Sequence, residues 1–382
     1  MAFCLVPLKS ITMRIVFFIL IICILFSCKK ENNSPNRQAN FNAGYINLHQ
    51  GKYFIEIPEV YELAFIILAL KDENSISYFV EKRTDYFQKV IKQFNSYKIH
   101  KIFSQLNFDY NSLMNYYSFS NNSYEYGFVN HNIVSNKIYS ILWAPDIFTN
   151  KVSLIQDFAN NSDFESFYLS NNSYYINQIN LYDSLVPVKK MWTWLERQFD
   201  SRINSYKIVI SPLTDGSNNS ITLSNNNFTE ALMFVPGYHT KLQSSDSLYL
   251  LKLICFLFTE IDNNYTIPVL NKMTSEINQS MKNMEKWKSN DNFSSGYSSA
   301  TDVLNEYFTW SLFCLYAKDN LTNLDFLNMR SFVETNTTNR GFKLFNLFDQ
   351  EVIDLYNNKT VDKKVQDLVP EILEWVKGLD EE

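Results

Sequence analysis

SSDSLYLLKLICFLFTEIDNNYTIP, residues 244–268, is the segment around which the rest of the chain is organised. From Leu248 to Phe258 it is apolar except for Lys252. A run this short, with a lysine in it, does not cross a bilayer, so it predicts a helix buried on nearly all sides. Ser244 and Ser245 are candidates for its cap, and Asn263, Asn264 and Pro268 place its expected end near Asn263. Thr266 and Pro268 then open the next amphipathic helix, VLNKMTSEINQSMKNMEKW.

Downstream, the break NDNFSSGYSS leads into SATDVLNEYFTWSLFCLYAKDN. Ser299 and Asp302 have capping-box spacing there, and Leu304, Tyr307, Phe308, Leu312 and Phe313 carry the apolar period of a helix. The chain closes on a short amphipathic helix, VQDLVPEILEWVKG. Upstream, PEVYELAFIILALKD (Pro58–Asp72) predicts a buried helix, while residues 75–106 and Val186–Phe199 carry apolar residues at helical spacing. YKIVIS (Tyr206–Ser211) and ITLS have the form of two short strands joined by the loop PLTDGSNNS, and ALMFVPG (Ala231–Gly237) is a further strand. Helices, a few short strands and then helices again predict a helix-rich α+β fold around one central buried helix. The pentapeptide SNNSY, at 120–124 and 170–174, is read as a chance repeat in a chain rich in Asn, Ser and Tyr.

The first thirty residues carry an address. Lys9 and Arg14 precede an apolar run, Ile15 to Phe26, too short for a span and suited to an export signal. LFSC, Leu25–Cys28, resembles the lipobox of bacterial lipoproteins, which implies cleavage after Ser27 and a lipid on Cys28. Met13 and Arg14 open a compact signal by themselves, so Met1 and Met13 both stand as starts. Residues 28–45 are polar and predict a tether, with the globular domain over 46–382. Lys29, in place of Asp, points by resemblance to lipoprotein sorting rules toward the outer membrane, on its periplasmic or surface face. The expected partner is thus the membrane, through Cys28, together with an unidentified envelope protein or peptide.

Without residues 1–27 the chain has 32 basic and 40 acidic side chains, a net charge of −8. That balance offers no basic field for nucleic acid. Cys255 and Cys314 are the cysteines left beside Cys28, too few for a disulfide scaffold, and whether they pair stays open. The size suits one large domain of two lobes, or two domains. No P-loop, GxSxG or Gly-rich dinucleotide fingerprint is present.

TEIDNNYTIP (Thr259–Pro268) and LNEYFTWS (Leu304–Ser311) resemble two motifs of a family of secreted and lipid-anchored zincin-like proteins of Gram-negative bacteria that carries a domain of unknown function. That family looks like gluzincin metallopeptidases, with a motif of the form HEFSHSFVNP ending a buried helix and a later Glu in a segment like LNEQLVRA. Weaker likenesses lie at PEVYEL, FDYNSLMNYYSF, FESFYLSNNSYYI and YKIVISPLTDG, so the resemblance runs over about residues 50–345. It implies a zincin-like domain with lobes of roughly 46–265 and 266–382.

The departures from that pattern govern the functional reading. In a zincin two His four residues apart bind zinc, the Glu after the first activates the metal-bound water, and a distant carboxylate completes the site. By position those roles fall to Thr259 and Asn263, Glu260, and Glu306. A hydroxyl and an amide oxygen are poor zinc ligands, and without metal Glu260 has nothing to activate. The four positions are therefore read as vestigial, with no catalytic residue, no metal and no cofactor. His49, His100, His131 and His239 lie at no HxxxH or HxH spacing and are read as ordinary histidines, and Cys255 and Cys314 as packing residues. A hard-cation site from Thr259, Asn263, Glu306 and Asp262 is disfavoured because Asp262 is expected to face elsewhere on the helix. The preferred expectation is an inactive metallopeptidase-like lipoprotein that binds or scaffolds. Two alternatives stay open: a zinc peptidase with unrecognised ligands, and a plain structural surface lipoprotein.

Overall fold

The computed structural model describes residues 37–72, 79–106, 113–140, 142–215, 218–237, 248–290 and 294–381. The export signal, residues 28–36 of the tether with Cys28, His239, Ser244 and Ser245 lie outside the described residues. The fold is α+β and rich in helix, with a few short strands. In chain order the first part holds β1 (Gln38–Ala39), α1 (Ala43–His49), β2 (Lys52–Glu56), α2 (Glu59–Asp72), α3 (Asp85–Phe94), α4 (Lys101–Gln105) and α5 (Leu113–Ser120). Then come β3 (Tyr126–Val129), β4 (Asn132–Ser135), β5 (Tyr139–Ser140), α6 (Val152–Ser162), α7 (Phe164–Ser170), α8 (Asn172–Leu185) and α9 (Val188–Gln198). The strands β6 (Ser205–Ser211), β7 (Asn219–Asn225) and β8 (Phe228–Pro236) precede α10 (Tyr249–Lys272), α11 (Thr274–Ser280) and α12 (Met284–Trp287). The chain ends with α13 (Ala300–Asn320), α14 (Asn323–Asn339), α15 (Phe345–Asn358) and α16 (Val369–Glu381).

The central sheet has the order β2-β6-β8-β7, parallel except for β7. The strands expected at 206–211 and 221–224 exist, yet they do not pair with each other. Strand β8 lies between them, parallel to β6 and antiparallel to β7. The physical reason is that β8 is apolar on both faces and takes a central place, while Asn226 and Asn227, at φ 53° and 59°, form the two-residue turn that returns β7 onto it. Tyr206 faces α9 and α10, meeting Trp192 at a ring separation of 4.9 Å and the Tyr265 hydroxyl at 2.9 Å. The opposite sheet face receives α2, whose Tyr61 meets Phe234 at 5.7 Å. As expected, α2 is buried around its whole circumference from Val60 to Leu70.

Residues 79–106 do not form the single helix their spacing suggests. Val80 makes an isolated bridge with Thr214, and the Thr84 hydroxyl then caps α3 by accepting from the Phe87 amide. After Phe94 a 3-10 turn intervenes, and His100 caps α4. The two SNNSY copies adopt different structures: the first runs into a buried 3-10 turn, and the second joins α7 to α8.

Folding also begins earlier than a tether over 28–45 predicts. Gln38 and Ala39 pair with Ser140 and Tyr139, and Phe41 is fully buried between Tyr45 and Phe228, each 5.1 Å away. Two aromatic side chains in an otherwise polar stretch supply enough apolar surface to bind it to the sheet.

Candidate functional site

The apolar run at 248–258 becomes α10, which is buried along most of its length. It does not end at Asn263. The helix continues through Asn263, Asn264 and Pro268 to Lys272, so Thr266 lies inside it and opens no new helix. The polar side chains turn back on their own helix instead of breaking it. Thr259 donates to the Phe256 carbonyl (2.9 Å), Asn263 to the Thr259 carbonyl (2.7 Å) and Asn264 to the Ile261 carbonyl (2.9 Å). Pro268 is tolerated on the exposed side.

The second motif lies on α13, which starts as predicted with the Ser299 hydroxyl accepting from the Asp302 amide. The two helices pack antiparallel. Phe258 meets Phe313 at 5.7 Å and Tyr316 at 5.0 Å. Further along, the Thr309 hydroxyl lies 3.4 Å from both Asp262 Oδ1 and Asn263 Oδ1. Asn305 donates to Asn263 Oδ1 at 3.1 Å and accepts from Thr266 at 2.9 Å. The segments TEIDN and LNEYF, far apart in sequence, are thus laid against each other.

Of the four matched positions, Thr259 and Asn263 are 4% and 6% exposed, and Glu260 and Glu306 0% and 2%. Glu306 follows Asn305, and its charge bears on Asp262 across the helix pair. Its carboxylate is already engaged. Oε1 accepts from the Trp310 indole one turn on, at 2.8 Å, and pairs with the Arg340 guanidinium. Arg340 is 1% exposed, donates to the Tyr297 hydroxyl at 2.8 Å, and lies 5.5 Å over Trp310 and 5.6 Å over Phe342. A cation therefore does sit at Glu306, and the protein supplies it. Beside the motif, β7 approaches α10 through the Ser220 hydroxyl, which donates to the Glu260 carbonyl at 3.2 Å, and through Thr222 with Asn264.

Asp262 corrects the sequence reading, since it faces α13 through Thr309 and not another side. Burial pushes its carboxyl well above the usual range, the neighbouring Glu260 and Glu306 add repulsion, and Thr309 offsets part of this. The three described histidines are not gathered. His49 stacks on Tyr45 at 3.8 Å, His100 contacts Asp157 at 3.0 Å, and His131 contacts Glu165 at 2.9 Å. Cys255 and Cys314 are free buried thiols on the α10–α13 interface, and burial raises both above the ordinary thiol range. No group of three His, Cys, Asp or Glu placed to hold a metal ion occurs among the described residues.

Sequence reasoning missed Arg340, Trp310, Tyr297, Asn305 and Thr309. One signal was available: Arg340 caps the C-terminus of α14 and is followed by Gly341 at φ 93°, the left-handed residue of a helix stop. The chain matches no family model, no curated protein and no solved structure.

Proposed function

We propose that this chain is a lipid-anchored envelope protein with a zincin-like, two-lobed and catalytically inactive fold, acting as a binding or scaffolding module. In this reading an internal guanidinium has taken the place of the metal. The observation that carries it is the ion pair of Glu306 with Arg340, set in the helix that packs against Thr259 and Asn263. A divalent ion would need Glu306 as a ligand, and a guanidinium already on that carboxylate both repels the ion and consumes the donor. Thr259 and Asn263, bonded to carbonyls of their own helix, add no imidazole. The lipobox-like LFSC after the apolar run supports anchorage through Cys28, with an envelope protein or peptide as the partner class.

Metal analysis of the purified soluble domain tests the reading, with no stoichiometric zinc and no peptidase activity expected. Thr259→His with Asn263→His sets two imidazoles at helical i, i+4 spacing, and the variant should bind zinc more tightly than the parent. Adding Arg340→Met should tighten binding further, because it frees Glu306. One zinc per parent chain would overturn the proposal in favour of a peptidase with other ligands. Zinc binding by none of the three proteins would leave the plain structural lipoprotein as the better reading.

A further inference from the structure

A second polar cluster lies on the other side of the sheet, inside apolar α2. Glu62 is fully buried there. Its Oε1 accepts from the Tyr86 hydroxyl at 2.7 Å, and that hydroxyl is 2.6 Å from the hydroxyl of Tyr175. Tyr174 stacks on Tyr86 at 5.0 Å, and Tyr168 lies 4.7 Å from Tyr175. Oε2 makes no hydrogen bond among the described residues, although the Ser211 hydroxyl on β6 is close enough to favour the charged form. The carboxyl therefore ties α2 to α3, and through the tyrosine pair to α8.

Acids and phenols crowd this cluster, and the cations near it are paired elsewhere. On α2 itself the ionisable neighbours are Glu59 and Tyr61. From α3 come Asp85 and Tyr86, from α7 Glu165 and Tyr168, from α8 Tyr174 and Tyr175, and from β2 Glu56. The flanking cations have other partners: Arg83 pairs with Glu81 and Asp215, Lys89 with Asn171, and Lys207 of β6 with Glu56. An ionised Glu62 would thus be a buried anion among acids and phenols, with no cation among the described residues bearing on it.

We propose that Glu62 is a proton sensor built into the fold: protonated, it holds α2, α3 and α8 together, and ionised, it loosens that junction. Burial pushes this carboxyl up to about 7, against the opposing hydrogen bonds of Ser211 and Tyr86. A raised folded value means that the stabilisation is complete below the ordinary value of 4.5 and is lost as pH rises through about 7. Over that window the unfolding equilibrium should shift toward the open chain by about tenfold per pH unit from this one proton. The inference is independent of any reading of α10 and α13.

The test compares the parent with Glu62→Gln, whose amide keeps the shape of the protonated acid. Denaturant unfolding across pH 4.5 to 8 should give a curve that falls for the parent and is markedly flatter for the variant, with amide exchange in α3 rising near neutrality in the parent alone. Parallel curves would overturn the proposal. If Glu62→Gln does not fold, the infrared carbonyl band of a protonated carboxyl decides in the parent. It should titrate near pH 7 and move to higher pH in Tyr86→Phe, which loses the bond favouring the anion. A parent without that band at pH 6 overturns the sensor.

Discussion

Arg340 is the side chain on which the candidate site turns, and its importance is physical before it is functional. It and Glu306 are a buried ion pair, whose desolvation offsets much of their attraction, so the pair contributes little net stability while neither partner tolerates the loss of the other. Arg340→Met should therefore destabilise by about 3–5 kcal/mol by leaving Glu306 charged and unpaired in the core. Combining it with Glu306→Gln should recover most of that loss. Denaturant unfolding of the two single variants and the double variant measures the coupling. A cost under about 1 kcal/mol for Arg340→Met would mean that water reaches the pair and that the guanidinium is no plug. Asp262 is a quieter case: burial first, and then the nearby Glu260 and Glu306, push its carboxyl well above the ordinary range, while the Thr309 hydroxyl offsets part of this.

At the scale of elements, the ends of helices were harder to read than their existence. The apolar periods of α2, α9, α10, α13 and α16 were legible, because burial demands apolar side chains at helical spacing. The end of α10 was not. Asn and Pro are stop signals when their side chains or rings compete with the backbone, yet in α10 both Asn side chains bond helix carbonyls and Pro268 points outward. The proline still removes the amide that would bond the Asn264 carbonyl. Pro268→Ala should accordingly raise stability by about 1–2 kcal/mol, the helix gain being partly offset by a more flexible unfolded chain. Thermal or denaturant melting checks this, and a variant no more stable than the parent would mean that a bend at Pro268 is needed to seat α11. The pairing of β6 and β7 with β8 was equally hidden, since strand patterns carry a face but not a partner.

For the whole molecule, the address and the body are separate questions. The hypothesis of lipidation at Cys28 rests on LFSC following an apolar run, and it makes a cellular prediction. Cys28→Ala should abolish incorporation of labelled fatty acid and release the protein from the membrane fraction, and labelling that persists in the variant would refute the anchor. The sequence alone determined the helix-rich α+β class, the central buried helix and the lack of imidazoles at Thr259 and Asn263, because composition and apolar periodicity are local quantities that burial reads directly. Tertiary structure decided the rest: that TEIDN and LNEYF lie against each other, that Arg340 from a third segment closes on Glu306, and that Gln38 and Ala39 pair with β5 while Phe41 packs on Phe228. Those contacts join residues far apart in the chain. Their partners are chosen by shape and charge once the helices are packed, and no spacing rule along a sequence encodes that choice.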